Sequence, residues 1–98
     1  MRFVKNAGPI TVNGVIEYEP ELRFTYTGKS LCSFQIIDTQ TKEIQSCEAW
    51  EEIGEAIIEQ DLKQGAFIIL NGYHKLREYK GASHDYFIVK TWEHERIV

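Results

Sequence analysis

Gly72-Tyr73-His74-Lys75-Leu76-Arg77-Glu78-Tyr79-Lys80-Gly81 follows directly on the run Phe67-Ile68-Ile69-Leu70. That run is apolar on both faces, as a central strand is, and it continues past Gly72 into the quoted stretch. In an extended chain alternate side chains point to opposite faces. Tyr73, Lys75, Arg77 and Tyr79 therefore share one face, and His74, Leu76 and Glu78 share the other. A row reading aromatic, cation, cation, aromatic suits a single nucleic-acid strand, because bases stack on rings and phosphates pair with cations. The plainer alternative is a solvated strand face, since long side chains of these types also cover apolar surface. Gly81 and its neighbours make a hairpin, and Tyr86 to Trp92 reads as the last strand.

Toward the N-terminus the period changes. Ile53, Ala56 and Ile57 recur at helical spacing with acids mostly between them, which predicts one short helix over 51–60. Leu62-Lys63-Gln64-Gly65 ends it, with Gly65 placed as a stop. Glu43 to Ala49 alternates weakly as a strand, and Asp38 to Lys42 is a polar loop. Ser30 to Thr39 is a strand with Cys32, Phe34 and Ile36 on one face, preceded by a turn at Thr27-Gly28-Lys29. Leu22, Phe24 and Tyr26 alternate with Arg23, Thr25 and Thr27, a strand with one apolar face. Glu19-Pro20-Glu21 breaks the pattern. Ile10 to Glu17 reads as the first strand, where Gly14 suggests a bulge or a close backbone approach. Residues 1–9 read as an extended arm, and 93–98 as a short tail with no clear signal.

The order is strand, strand, strand, helix, strand, strand. It matches an all-β fold with one short helix, the five-stranded Greek-key barrel called the OB-fold, spanning 1–98 as a single domain. Such barrels often bind oligonucleotides on strands 2–3 and nearby loops. The order is read from the residues; closure into a barrel is inferred from the order.

Composition narrows the rest. A chain of 98 residues, 43% hydrophobic and 27% charged, fits one soluble domain. No apolar run approaches the roughly 20 residues of a membrane helix, and the N-terminus lacks the apolar core of a signal peptide. The expected location is the cytoplasm, with no membrane partner. Cys32 and Cys47 match no metal spacing and read as small buried side chains. A net charge of −4 counts against coating nucleic acid through bulk positive charge, although the field of one face matters more than the total. His74, His84 and His94 are too scattered for a metal site. Glu51, Glu52 and Glu55 read as a solvated acidic face, and Gly28-Lys29 lacks the rest of a phosphate loop. The residues thus imply no enzyme, no metal and no cofactor.

At Pro20-Glu21-Leu22-Arg23-Phe24-Thr25-Tyr26-Thr27-Gly28-Lys29 the sequence resembles bacterial single-stranded DNA-binding proteins, whose first hairpin carries a Pro-Glu-Leu-Arg, aromatic, Thr, Gly-Lys pattern. The similarity continues through Ser33-Phe34 and Ala49-Trp50-Glu51-Glu52-Ile53-Gly54-Glu55. It resumes at Leu62-Lys63-Gln64-Gly65, Asn71-Gly72 and Tyr79-Lys80-Gly81. Each motif is weak alone; their order over residues 10–92 is fairly specific. The resemblance implies an OB-fold that pairs with itself as a homodimer or homotetramer, and Ile10–Glu17 is a candidate edge for that pairing. Trp50 stands where the family often has a stacking Phe, and Tyr79 where it often has a stacking Trp. Lys75 and Arg77 fall where the family tends to have basic residues.

There are departures. Ile44 stands near the place of another stacking Trp, and the Asp38–Lys42 loop is short. Glu51 replaces a Gly beside the stacking ring. Other replication proteins are partners the resemblance implies; the acidic, Phe-ended tail that recruits them in the family is not among these residues, which end at Ile97-Val98.

The leading expectation is a non-catalytic protein that binds single-stranded DNA with little sequence preference, in replication, recombination or repair. RNA is an open alternative, because either backbone meets the same rings and cations. Its binding residues are expected to be Arg23, Trp50, Tyr73, Lys75, Arg77, Tyr79 and Lys80. The second expectation is a protein-interaction module on the same fold, of primosomal type or an SSB-like partner, with weak or no DNA binding. Acidity and the missing ring at Ile44 favour it.

Overall fold

The computed structural model describes residues 9–94. Five strands, β1 (Ile10–Phe24), β2 (Ser30–Asp38), β3 (Ile44–Trp50), β4 (Phe67–Tyr79) and β5 (Ala82–His94), surround one helix, α1 (Glu51–Glu59), which joins β3 to β4. The strands close into a barrel in the order β1-β2-β3-β5-β4, the expected OB-fold. Neighbours are antiparallel except β3 and β5. The expected arm, apart from Pro9, and the expected tail, apart from Glu93 and His94, lie outside the described residues.

Strand alternation fills the barrel. Val12 and Ile16, then Cys32, Phe34 and Ile36, then Cys47 and Ala49, Ile68 and Leu70, and Phe87 and Val89 turn inward and are buried; Ile57 of α1 and Leu62 join the same core. Each fully buried Ile, Leu or Phe contributes about 1.5–3 kcal/mol relative to exposure. Both cysteines are free and buried, as expected. Burial pushes the Cys32 thiol up to about 11 and Cys47 higher still, so both stay protonated near neutral pH.

α1 sits against β2 and β3 because Gly54 permits it. A Cβ there would overlap the Ala49 carbonyl oxygen and come within 2.8 Å of Cys32 Cβ. Nearby, the Ser30 hydroxyl donates to Glu55 at 2.7 Å, so this acid ties helix to strand instead of facing solvent alone. The helix ends by tightening: Gln60 N–H donates to Ile57 O at 3.0 Å and Asp61 N–H to Ile58 O at 3.1 Å. Asp61, at φ 52°, makes the left-handed exit. Gly65, expected as the stop, lies beyond that exit; its φ of 93° turns the connection toward β4, and its N–H donates to Ile16 O at 2.8 Å.

One expectation about the first strand needs correction and another needs narrowing. Ile10–Glu17 and Leu22–Phe24 are parts of one strand. Register shifts between Ile16 and Tyr18 and between Tyr18 and Glu21 absorb Glu19-Pro20, so the proline sits in a bulge where its missing N–H breaks no ladder bond. The candidate edge at Ile10–Glu17 is narrower than the whole segment. Residues 10–15 pair with β4, and pairing with β2 begins at Gly14. Within that segment, residues 10–13 have no β2 partner on the side away from β4, and there the Thr39 N–H already donates to Asn13 O at 2.9 Å. Gly14, flanked by both β2 and β4, makes the close approach its position suggested: a Cβ would lie 2.7 Å from Ile36 Cδ1.

The alternating apolar face of Leu22, Phe24 and Tyr26 is not a core face. The three are 37%, 66% and 101% exposed. Leu22 lies opposite buried Cys32 and Phe24 opposite buried Ser30, on the inward side of the strand. At this end the β1–β2 hairpin has outrun the barrel wall, so its inward side meets solvent.

Candidate nucleic-acid interface

Register places the expected binding residues together. Residues directly opposite in paired strands share a face. One row across the outer surface reads Arg23, Leu31, Trp50. The next reads Glu21, Ser33, Glu48, Ile88, Tyr73. A third reads Tyr18, Gln35, Ser46, Tyr86, Lys75. Arg77 opposite His84 and Tyr79 opposite Ala82 extend this surface along the β4–β5 hairpin. Six of the seven expected residues thus line one outward face. Lys80 stands at the hairpin tip, where Lys80 and Gly81 take φ of 52° and 81°. That two-residue, doubly left-handed turn is the one whose twist suits a hairpin.

The side chains differ in what holds them. Tyr73 and Tyr79 are 46% and 65% exposed, and Lys80 Nζ lies 5.4 Å from the Tyr79 ring centroid. Lys75 is exposed; Arg23 is exposed and donates to Ser33 Oγ at 3.2 Å. Trp50 is half-buried, beside an open groove shared with Thr25, Thr27, Lys29 and Glu51. Glu51 itself takes φ 53°. That left-handed region favours glycine, which gives a physical reason for the family's Gly at this place.

Arg77 is committed. Its two terminal nitrogens donate to Oε2 and Oε1 of Glu48, both at 2.7 Å, and its guanidinium lies 4.8 Å over the Tyr86 ring. The Glu48 side chain is only 8% exposed. Hydrogen bonding to Glu48 raises the Arg77 pKa, against a smaller opposing effect of burial. The pair is neutral overall, so a phosphate would have to compete with Glu48 for this cation. Among the described residues no ion pair ties up Lys75, Lys80 or Arg23.

Several residues on or beside this surface escaped the sequence reading. Tyr86 is set opposite Lys75 by counting back from the Lys80-Gly81 turn, a signal present in the sequence. Tyr18, 54% exposed, reaches the face through the β1 bulge, and its hydroxyl donates to Glu21 at 3.0 Å, which raises its pKa. Glu48 looked like one acid in a weak strand; its burial needed Arg77 from a strand far along the chain. Phe24 and Tyr26 were read as apolar-face residues. Ile44, near the missing stacking position, is 59% exposed.

No family model matches the chain. A single-stranded DNA-binding protein of Mycobacterium bovis is 33% identical over 84 residues, covering 72% of this chain and 51% of that protein. Single-stranded DNA-binding protein 2 of Streptomyces coelicolor is 32% identical, covering 72% of this chain and 42% of its own length. The chain therefore spans about half the length of the curated relatives it matches. Among solved structures, the SSB domain of a Synechococcus protein superposes with a TM-score of 0.78 at 9% identity, over 94% of this chain and 100% of that one. The single-stranded DNA binding protein of Thermus aquaticus gives 0.77 at 15% identity, over 94% and 42%. A second such protein from Mycobacterium smegmatis gives 0.75 at 17%, over 91% and 87%. The structural likenesses speak for the fold, and the sequence likenesses for descent. Together they place this chain in the OB-fold family of bacterial single-stranded DNA-binding proteins.

Proposed function

We propose that the chain binds single-stranded DNA, without catalysis and with little overall sequence preference, across the outer face from Trp50 and Arg23 to Tyr79 and Lys80. The observation that carries this reading is the register: rings and cations from β1, β3 and β4 share one outward surface, although they lie far apart in sequence. Trp50, Tyr73 and Tyr79 offer flat surfaces to bases, and Arg23, Lys75 and Lys80 offer charge to phosphates. The relatives' names support the same ligand. The net charge of −4 does not oppose it, because Glu51, Glu52, Glu55 and Glu59 all lie on α1.

The test is a titration of labelled oligo-dT at low salt. Sub-micromolar binding is expected. No binding below tens of micromolar would instead support a protein-interaction module, for which exposed Leu22, Phe24 and Tyr26 offer an apolar surface. Self-association is part of the proposal: the unpaired side of residues 10–13 offers ladder groups to a second copy. Light scattering is expected to show a dimer or tetramer, and a monomer at all concentrations overturns this. We place this activity in the cytoplasm; among the described residues no helix is long and apolar enough to cross a membrane.

A further inference from the structure

The centre of the proposed DNA-binding face holds a feature that general stacking and phosphate pairing do not use. A groove of about 260 Å³ opens there, walled by Tyr18 and Tyr86, with Gln35, Ser46 and Glu48 along its floor and Arg23 at its rim. A carboxylate in the middle of a surface for a polyanion is costly if it acts as a charge. Here it does not. Glu48 is nearly buried, and Arg77 holds both its oxygens at 2.7 Å. A carboxylate has about four lone-pair sites, and the Arg77 fork occupies two. What remains is a neutralised, fixed hydrogen-bond acceptor. Gln35 and Ser46 stand beside it, the Gln35 amide donating to Ser46 Oγ at 3.4 Å, a long bond that a ligand can replace. The same Arg77 stacks on Tyr86 and so positions one wall.

Two rings over a floor with an oriented acceptor flanked by donors suit one nucleobase entering edge first. We infer that this groove is a single-base subsite that prefers a pyrimidine bearing an exocyclic amino group, cytosine, over one bearing a carbonyl there, thymine or uracil. Glu48 accepts from the amino group, the pairing of acidic side chains with cytosine N4. Gln35 and Ser46 donate to the ring nitrogen and carbonyl beyond it. Uracil puts an acceptor oxygen against the carboxylate instead. Arg77 is a positioning residue in this scheme, and Glu48 the specificity-determining one. The inference rests on the proposed DNA binding and grades that binding at one position only.

The experiment compares two deoxyoligonucleotides of equal length, all-cytosine and all-uracil, in direct titrations of the full chain near pH 7.5. The two share ring size and backbone and lack the thymine methyl, so the base edge is the main difference. Cytosine is expected to bind about five- to tenfold tighter, the order of one good edge contact. Glu48→Gln is expected to abolish that ratio while uracil binding persists. If that variant melts far below wild type because Arg77 has lost its partner, Gln35→Ala serves instead. Gln35 is half-buried and its bond to Ser46 is long, so its truncation is expected to cost little stability and to shrink the ratio at least twofold. Equal affinities for both oligonucleotides in the wild type overturn the subsite, leave the binding reading standing, and make Glu48–Arg77 a structural tie. A cytosine preference untouched in both variants also overturns it. Binding of neither oligonucleotide overturns the binding reading and the subsite with it.

Discussion

Two hairpins leave this barrel, and they are held differently. The β4–β5 hairpin is tied down along its length: Arg77 to Glu48 of β3, and His74 to Asp85 across the hairpin at 3.0 Å. The β1–β2 hairpin is closed mainly by its own turn, where Thr25 N–H donates to Lys29 O and Gly28 N–H to Thr25 O, both at 2.9 Å. Its large side chains, Phe24 and Tyr26, stand in solvent. The first is a positioned arm whose central cation is spent on positioning. The second carries exposed rings toward its tip, with Arg23 bonded across it to Ser33. Charge on a binding face is therefore not the same as charge available to a ligand.

The largest expected effect breaks the positioned arm. Arg77→Met leaves Glu48 buried and unpaired. Removing one partner of a fully buried pair costs about 3–5 kcal/mol, and the partial exposure of Arg77 lowers this to about 2–3 kcal/mol. Thermal melting reads it, and a wild-type melting temperature would mean the arm needs no tie. Next come the rings. Tyr79→Ala is expected to weaken oligo-dT binding by about 1–3 kcal/mol, whereas Phe24→Ala and Tyr26→Ala, whose rings lie off the outward face, are expected to leave it within about 0.5 kcal/mol. None should shift stability beyond about 0.5 kcal/mol, because all three are exposed. If either β1–β2 ring does weaken binding, DNA also reaches the inward side of that hairpin.

Glu51→Gly sharpens the junction between the hairpins, where Trp50 meets α1. Relief of the left-handed φ is expected to stabilise the fold by about 1 kcal/mol. An unchanged or lower melting temperature would show that Glu51 makes compensating contacts. The smallest effects are ionic. With Arg77 spent, Arg23, Lys75 and Lys80 remain, so the log–log salt slope should be about −2, at roughly −0.7 per phosphate contact on a single strand. Lys75→Ala and Lys80→Ala should each flatten it by about 0.7. A slope near −3 in the wild type would mean that Arg77 does leave Glu48 for phosphate.

The sequence reading succeeded where one local pattern decides the structure. Inward Cys32, Phe34 and Ile36 follow from period two, and α1 from the spacing of Ile53, Ala56 and Ile57. It failed where a long-range partner decides. Leu22, Phe24 and Tyr26 alternate as a core strand does, yet whether anything lies against them depends on how far the hairpin outruns the barrel. Glu19-Pro20 looked like a strand end because a bulge and a break share the same residues. Arg77 looked free because nothing near it in sequence announces Glu48, 29 positions away. The glycines at 14 and 54 were visible as glycines, but only the packed structure shows the atoms that a side chain there would strike.

The central claim is that Trp50 meets DNA from the outer face instead of serving only as packing at the start of α1. The direct measurement is Trp50 fluorescence during an oligo-dT titration in a Trp92→Phe background. Trp92 packs against the core and stacks on His94, so it is expected to report little of the ligand. The account predicts quenching that saturates at sub-micromolar DNA and reverses with added salt. It also predicts that Trp50→Ala melts near wild type while binding about five- to a hundredfold more weakly, the range of one base–ring stack. Absent quenching, together with a Trp50→Ala variant that melts far lower, would make Trp50 a packing residue and contradict the account.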